Sequence, residues 1–262
     1  KGLKGLTILG EVPFEENSKD INDTRGITAE STRVLRSSLS FLLKNQDSQI
    51  ITVTSTTKGE GKSFISFNIA ESYAALGKKV LLLGADLRNP QLHKFMGVKR
   101  ENIGLTTYLS NENFNDIDSL ITKAETPGGL DYLLTGAIPP NPSELLMRPR
   151  TKEILDLLKQ SYDFIIIDSA PLLLVSDTAA ILPLCDSVVY VTRSQYSEKK
   201  LFSFILDMQQ RENVPPFAMV LNGMRAGANN GYNYGYKYRY SYGYTYNYGY
   251  GYGYGRDSKT ES

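Results

Sequence analysis

The sequence predicts an α/β fold: a doubly wound, mostly parallel sheet with helices on both faces, followed by a C-terminal segment that cannot build a core. Three observations predict it. Short apolar runs recur between residues 49 and 224, helical patterns lie between them, and residues 227–262 are nearly devoid of aliphatic side chains. Runs that are apolar throughout suit parallel strands covered on both faces. Strands alternating with helices imply right-handed crossovers within one sheet.

Each element has its own signal. Residues 1–26, Gly-rich and polar around LTILGEVPF, read as an N-terminal arm, extended or a short strand. Residues 28–44 carry Val34, Leu35, Leu39, Leu42 and Leu43 at helical spacing, with Thr28 as the expected N-cap. The β-branched run Gln49–Ser55 reads as a strand; it leads through TTKGEGKS into a helix over 63–76 that Gly77 ends. Lys78–Asp86, Tyr162–Pro171, Ser187–Arg193 and Phe217–Met224 read as four further strands. Helices are expected near 105–110, 143–160, 174–183 and 197–212. The domain layout that follows is an arm over 1–26, a folded domain over 27–226 and a flexible tail over 227–262.

Composition narrows the function. The 262 residues are 41% hydrophobic and 22% charged, with 29 Lys plus Arg against 28 Asp plus Glu. That balance argues against a dedicated nucleic-acid binder. Cys185 and His93 are each the sole residue of their type, so neither an internal disulfide nor a Cys/His metal cluster can form. A reducing compartment and a soluble chain are expected, because no run reaches the length of a membrane span and the first residues lack a signal-peptide pattern. The tail is the compositional anomaly. Of 18 tyrosines, 12 occupy every second position: Tyr232, Tyr234, Tyr236, Tyr238, Tyr240, Tyr242, Tyr244, Tyr246, Tyr248, Tyr250, Tyr252 and Tyr254. Such alternation with Gly, Asn and Ser is also the composition of self-associating low-complexity segments.

The chemistry concentrates after the first predicted strand. In TSTTKGEGKS, Gly59 and Gly61 allow the backbone to curl so that its N–H groups face an anion at a helix N-terminus. Lys58, Gly59, Glu60, Gly61, Lys62, Ser63 and Phe64 form the candidate nucleotide-binding segment. Lys62 can reach phosphate oxygens and Ser63 can ligate Mg²⁺. The usual pattern would place glycine at Thr56, so the loop is a variant. Two acids end apolar strands, Asp168 in FIIIDSAP and Asp86 in VLLLGAD. Either alone is an ordinary cap or turn residue; beside a phosphate loop both become candidates to hold Mg²⁺ or take a proton. Asn222, at the end of the last strand, is a candidate for hydrogen bonding a nucleotide base or a plain turn residue.

Taken with the tail, these motifs resemble the bacterial tyrosine kinases (BY-kinases), cytoplasmic domains of capsule and exopolysaccharide co-polymerases related to the MinD/ParA P-loop ATPases. ILGEVP, LLLGADLRNP, IPPNPSELL and FIIIDSAP match in order, as does AESTRVLRSSL, whose Glu30, Arg33 and Arg36 fit the family's E-x-x-R-x-x-R oligomerisation motif. On the residues alone, those three charges share one helix face, and an intrahelical Glu–Arg pair explains them equally. Two departures stand out. Gly84 occupies the first acidic position of the family's Asp-x-Asp, and Thr57 occupies the place of the related ATPases' signature lysine, one residue before Lys58.

The resemblance implies ATP and Mg²⁺, catalytic roles for Lys62, Asp86 and Asp168, and phosphorylation of the tail in trans within a ring of copies. It also implies a membrane-spanning co-polymerase region in the same or a partner chain, a cognate tyrosine phosphatase, and a place on the cytoplasmic face of the bacterial inner membrane, with polysaccharide polymerisation and export as the regulated process. The tail can reach a neighbouring site: about twenty residues beyond Asn222 span roughly 25 Å as a Gly-rich coil and about 65–70 Å fully extended. Each phosphate adds about −1.5 to −2 charges, so modification is expected to loosen the ring. An ATP-gated assembly module and a MinD/ParA-like ATPase are the alternatives.

Overall fold

Among the described residues, aliphatic and β-branched runs form seven strands: β1 (Thr7–Pro13), β2 (Gln49–Ser55), β3 (Val80–Ala85), β4 (Asp131–Leu133), β5 (Phe164–Ser169), β6 (Ser187–Arg193) and β7 (Phe217–Met224). In the computed structural model, which describes residues 7–14, 26–43, 47–124, 129–173, 177–210 and 214–225, they make one sheet of order β1-β7-β6-β2-β5-β3-β4. All six strand pairings are parallel. The twelve tail tyrosines lie outside the described residues.

The helices are α1 (Ile27–Ser40), α2 (Lys62–Ala74), α3 (Leu92–Phe95), α4 (Leu105–Ser110), α5 (Pro142–Leu146), α6 (Pro149–Leu158), α7 (Asp177–Ile181) and α8 (Phe202–Gln209). Strand side chains alternate between two cores. Ile165 and Ile167 of β5 join Leu81, Leu83, Leu133, Leu109 and Leu155 on one face. Ile166 faces the other way, with Leu82, Val53, Ile65, Ile69 and Leu35. This double burial is why β5 tolerates no polar residue before Asp168; each such isoleucine contributes about 1.5–3 kcal/mol. A smaller cluster around Tyr190, Ile205 and Phe217 covers the β6–β7 end beneath α8.

Several expectations are revised. Of the N-terminal segment, read as extended or a short strand, Thr7–Pro13 is a strand at the sheet edge, with Leu9 and Val12 buried against α1 and β7. Thr28 does not cap α1: the helix begins at Ile27 after Gly26, and the Thr28 carbonyl accepts a bond from the Thr32 hydroxyl. The helix expected over 143–160 is two helices, because Pro149 lacks an N–H and cannot continue a preceding turn. From 199 onward a 3₁₀ turn, Lys199–Leu201, precedes α8, and α7 passes into another, Leu182–Leu184. Strand β4 and helix α3 were not foreseen; at three and four residues they are too short to carry a period.

If β1 is an integral part of the core, Leu9→Ala should cost about 2–4 kcal/mol of unfolding free energy in urea titrations. A loss below about 0.5 kcal/mol would mean that the segment is a detachable arm.

Candidate functional site

The site assembles at the carboxyl ends of β2, β3 and β5, where doubly wound sheets bind ligands. Strand β2 reaches α2 through Thr56–Gly61. Gly59 and Gly61 lie at φ +84° and +100°, a region L-residues avoid. Gly61 has no room for a side chain either, since a Cβ there would fall 2.0 Å from Asn222 Nδ2. That turn sets the N-terminus of the 13-residue helix α2 facing the cleft, with its first N–H groups lacking intrahelical partners. Anions bind at such a terminus.

The outer side of the loop is tied down by the ends of β6 and β7. Tyr196 Oη donates to the Lys58 carbonyl (3.0 Å), an Arg193 guanidinium nitrogen to the Gly59 carbonyl (2.9 Å), and Asn222 Nδ2 to the Glu60 carbonyl (2.9 Å). The Glu60 side chain is fully buried. It accepts from the Thr57 N–H at 2.7 Å and from the Ser197 hydroxyl.

On the cleft side, Ser63 Oγ donates to Asp168 Oδ2 at 2.6 Å, while the Ser66 hydroxyl lies 3.5 Å from Oδ1. Asp168 is 1% exposed. Loss of water pushes its pKa up to about 7, against the opposing pull of Lys62 and of the two hydroxyls; the Asp86 carboxylate adds to the rise. Asp86 follows β3, and its Oδ1 accepts from the N–H groups of Arg88 (3.3 Å) and Asn89 (3.0 Å). Arg88 is held in turn by fully buried Asp177, Nε to Oδ2 at 2.8 Å.

Lys58, Gly59, Gly61, Lys62, Ser63, Phe64 and Asp86 thus share one cleft of about 360 Å³, within the range for small-molecule sites of about 300–1,000 Å³. Asp168 lies at its base through Ser63. Glu60 and Asn222 are not among the lining residues: the Glu60 side chain turns toward Ser197, and Asn222 braces the loop from behind. The Ser63 hydroxyl and Asp168 carboxylate are hard oxygen donors, and a buried carboxylate favours a cation beside it, so the pair fits Mg²⁺. Glu30, Arg33 and Arg36 stand elsewhere, on α1. Glu30 and Arg33 form an exposed ion pair at 2.7 Å, and Arg36 donates to the Ser72 carbonyl near the end of α2.

Sequence reasoning missed Arg88, Asn89, Gln91 and Lys94 as cleft residues; their place directly after an acid-tipped strand was the available signal. It also missed Arg193, Tyr196 and Ser197, for which there was none. At Gly84, a Cβ would stand 3.0 Å from Thr135 Oγ1 and 3.2 Å from its backbone nitrogen. A carboxylate at that position must push Thr135 aside.

An unfolded aspartate titrates near 3.9. Between about pH 4 and 7 the folded state therefore holds a proton on Asp168 that the unfolded chain has lost. Stability of the metal-free protein should fall across that window, by up to about 1.4 kcal/mol per pH unit from this group, and level off above it. Urea unfolding of the parent and Asp168→Asn across pH 4.5–8 should show the slope flattened in the variant; parallel curves would contradict the assignment.

Known proteins share this fold and much of this sequence. Residues 48–214, well over half the chain, match the AAA domain family. The kinase domain of the Escherichia coli tyrosine kinase ETK superposes with a TM-score of 0.77 at 30% identity, covering 88% of this chain and 96% of that one. A Klebsiella pneumoniae protein named as a tyrosine-protein kinase in the cps region is 35% identical over 206 residues, 79% of this chain and 28% of its own length. The septum site-determining protein MinD of Pyrococcus horikoshii, complexed with Mg-ADP, shares the fold at a TM-score of 0.54 and 22% identity over 67% of this chain and 70% of its own. The chain spans 25–31% of the length of the curated relatives it matches first. By motif order, sequence identity and fold together, it belongs to the bacterial tyrosine-kinase family.

Proposed function

We propose that this chain is an ATP-dependent protein-tyrosine kinase whose acceptors are its own tyrosines between Tyr232 and Tyr254. The observation that carries the reading is one cleft lined by the phosphate loop and Asp86, with Asp168 bonded behind Ser63, in a chain with a tyrosine at every second position from Tyr232 to Tyr254.

Phosphoryl transfer needs positioning and charge neutralisation more than covalent help from the protein. The α2 N-terminus and Lys62 offset charge on the β- and γ-phosphates. Ser63 and Asp168 are the residues that would hold Mg²⁺, which when bound supplies further positive charge to those phosphate oxygens. Asp168 has no open path to an acceptor, whereas Asp86 lines the cleft; Asp86 is therefore assigned the phenol's proton. The bond between the γ-phosphorus and its bridging oxygen breaks, the phenolic oxygen takes the phosphoryl group, the proton passes to Asp86 and ADP leaves.

The same reading places the reaction between copies. Glu30, Arg33 and Arg36 would exchange partners across a ring, with the tail of one copy in its neighbour's cleft. Kinship with capsule and exopolysaccharide kinases supports a role in regulating polysaccharide polymerisation and export. The proposal extends to a membrane-spanning region, a location on the cytoplasmic face of the inner membrane and a tyrosine phosphatase that reverses the modification. Among the described residues no helix is long and apolar enough to cross a membrane.

A second reading, an ATP-gated assembly module or ATPase with little kinase activity, draws on Gly84, where the missing acid and the close approach of Thr135 leave a single carboxylate on that segment.

Incubation with γ-labelled ATP and magnesium should place label on the tail tyrosines, and Lys62→Met should lower it at least about 100-fold. Free phosphate alone would favour the ATPase, neither product the assembly module. Undiminished labelling in Lys62→Met would show that the loop is misassigned.

A further inference from the structure

Three successive carbonyls of the phosphate loop, those of Lys58, Gly59 and Glu60, each accept a side-chain hydrogen bond from outside the loop. The donors, Tyr196, Arg193 and Asn222, come from the ends of β6 and β7. In a trans peptide unit the C=O and the following N–H point in opposite directions, and no cis bond occurs among the described residues. Carbonyls drawn outward at Lys58, Gly59 and Glu60 therefore turn the N–H groups of Gly59, Glu60 and Gly61 the other way. That other side is the cleft, whose lining includes Gly59, Gly61 and Lys62.

The brace is itself braced. Ser194 N–H donates to the Asn222 carbonyl (2.8 Å), joining the two strand ends. The Arg193 N–H donates to Ser197 Oγ (2.8 Å), whose hydroxyl donates to Glu60. Gln195, between them, is the one non-glycine residue at positive φ among the described residues (φ 58°). It bends the segment so that Arg193, Tyr196 and Ser197 all face the loop. Packing is close as well: a Cβ on Gly59 would stand 2.9 Å from Tyr196 Oη. The Thr57 N–H is taken by Glu60, so the phosphate-facing donors begin after it.

We propose that Arg193, Tyr196 and Asn222 are positioning residues of the phosphate loop, holding three carbonyls outward so that three backbone N–H groups meet the phosphates of a nucleotide. The assignment rests on the ATP reading above and names residues that the loop sequence itself does not contain. These side chains act through the backbone, so their loss is felt by the diphosphate portion of the ligand rather than by the fold. Tyr196 is half exposed, and Tyr196→Phe removes only its hydroxyl.

The test is calorimetric titration of the full chain with MgADP, together with KM for ATP and kcat for tail labelling. Tyr196→Phe and Arg193→Ala should each raise the MgADP dissociation constant about threefold to tenfold. KM for ATP should rise with it, while kcat and the melting temperature stay near those of the parent. Arg193→Lys, which keeps a donor, should recover most of the loss. A folded Tyr196→Phe/Arg193→Ala double variant that binds MgADP within twofold of a binding-competent parent overturns this assignment alone, as does an affinity loss in Tyr196→Phe that tracks only a lowered melting temperature. A parent that takes up no MgADP overturns the nucleotide reading and this assignment with it.

Discussion

Asp168 is the constraint on which the site depends. A carboxylate nearly sealed from water at the end of a central strand costs several kcal/mol unless hydrogen bonds and opposite charge offset it. Here the offset comes from two hydroxyls and from Lys62, all on the first turns of α2. The helix can supply them only because the chain turns out of β2 through a left-handed Gly61. The strand can present Asp168 to them only because the β5 register sets it opposite Val53 on one side and Gly84 on the other. A shift of one residue in β5 would turn the carboxylate to the opposite face of the sheet, away from α2.

Much of this was legible in the sequence, and the reasons are physical. Parallel strands buried on both faces leave uninterrupted apolar text, so β2, β3, β5, β6 and β7 announce themselves. The phosphate loop is equally local: its glycines, lysine and serine are contiguous, and the backbone geometry they enforce belongs to six residues. What stayed hidden depends on register. Nothing in RSQYS distinguishes it from any polar stretch after a strand; only the pairing of β6 with β2 brings Ser197 to Glu60, 137 positions away. The split at Pro149 was readable and outweighed by the apolar period on either side of it. Strand β4 has three residues and only Leu133 fully buried, too little to show alternation.

The α1 charges show why one pattern served two readings. Within a single copy, Glu30 and Arg33 already satisfy each other at the surface. Exposed pairs of this kind contribute little, about 0–1 kcal/mol. Their present partners are thus weakly held, and re-pairing with another copy forfeits little, so an intrahelical pair and an intermolecular one are compatible states of the same residues.

The position of β1 has a consequence for how the molecule is made. Thr7 lies beside Ala218 and Val12 beside Asn222, so β1 waits for β7, which lies about two hundred residues further along the chain. A ribosome has nearly finished the body before β1 can find its neighbour, and closing so long a loop is entropically slow. Until then α1 and α2 have one flank bare, with Leu9 and Val12 not yet in place over Leu35 and Leu39. Pairing of β1 therefore follows the emergence of β7, and the phosphate loop gains its Asn222 contact only once that strand is in place.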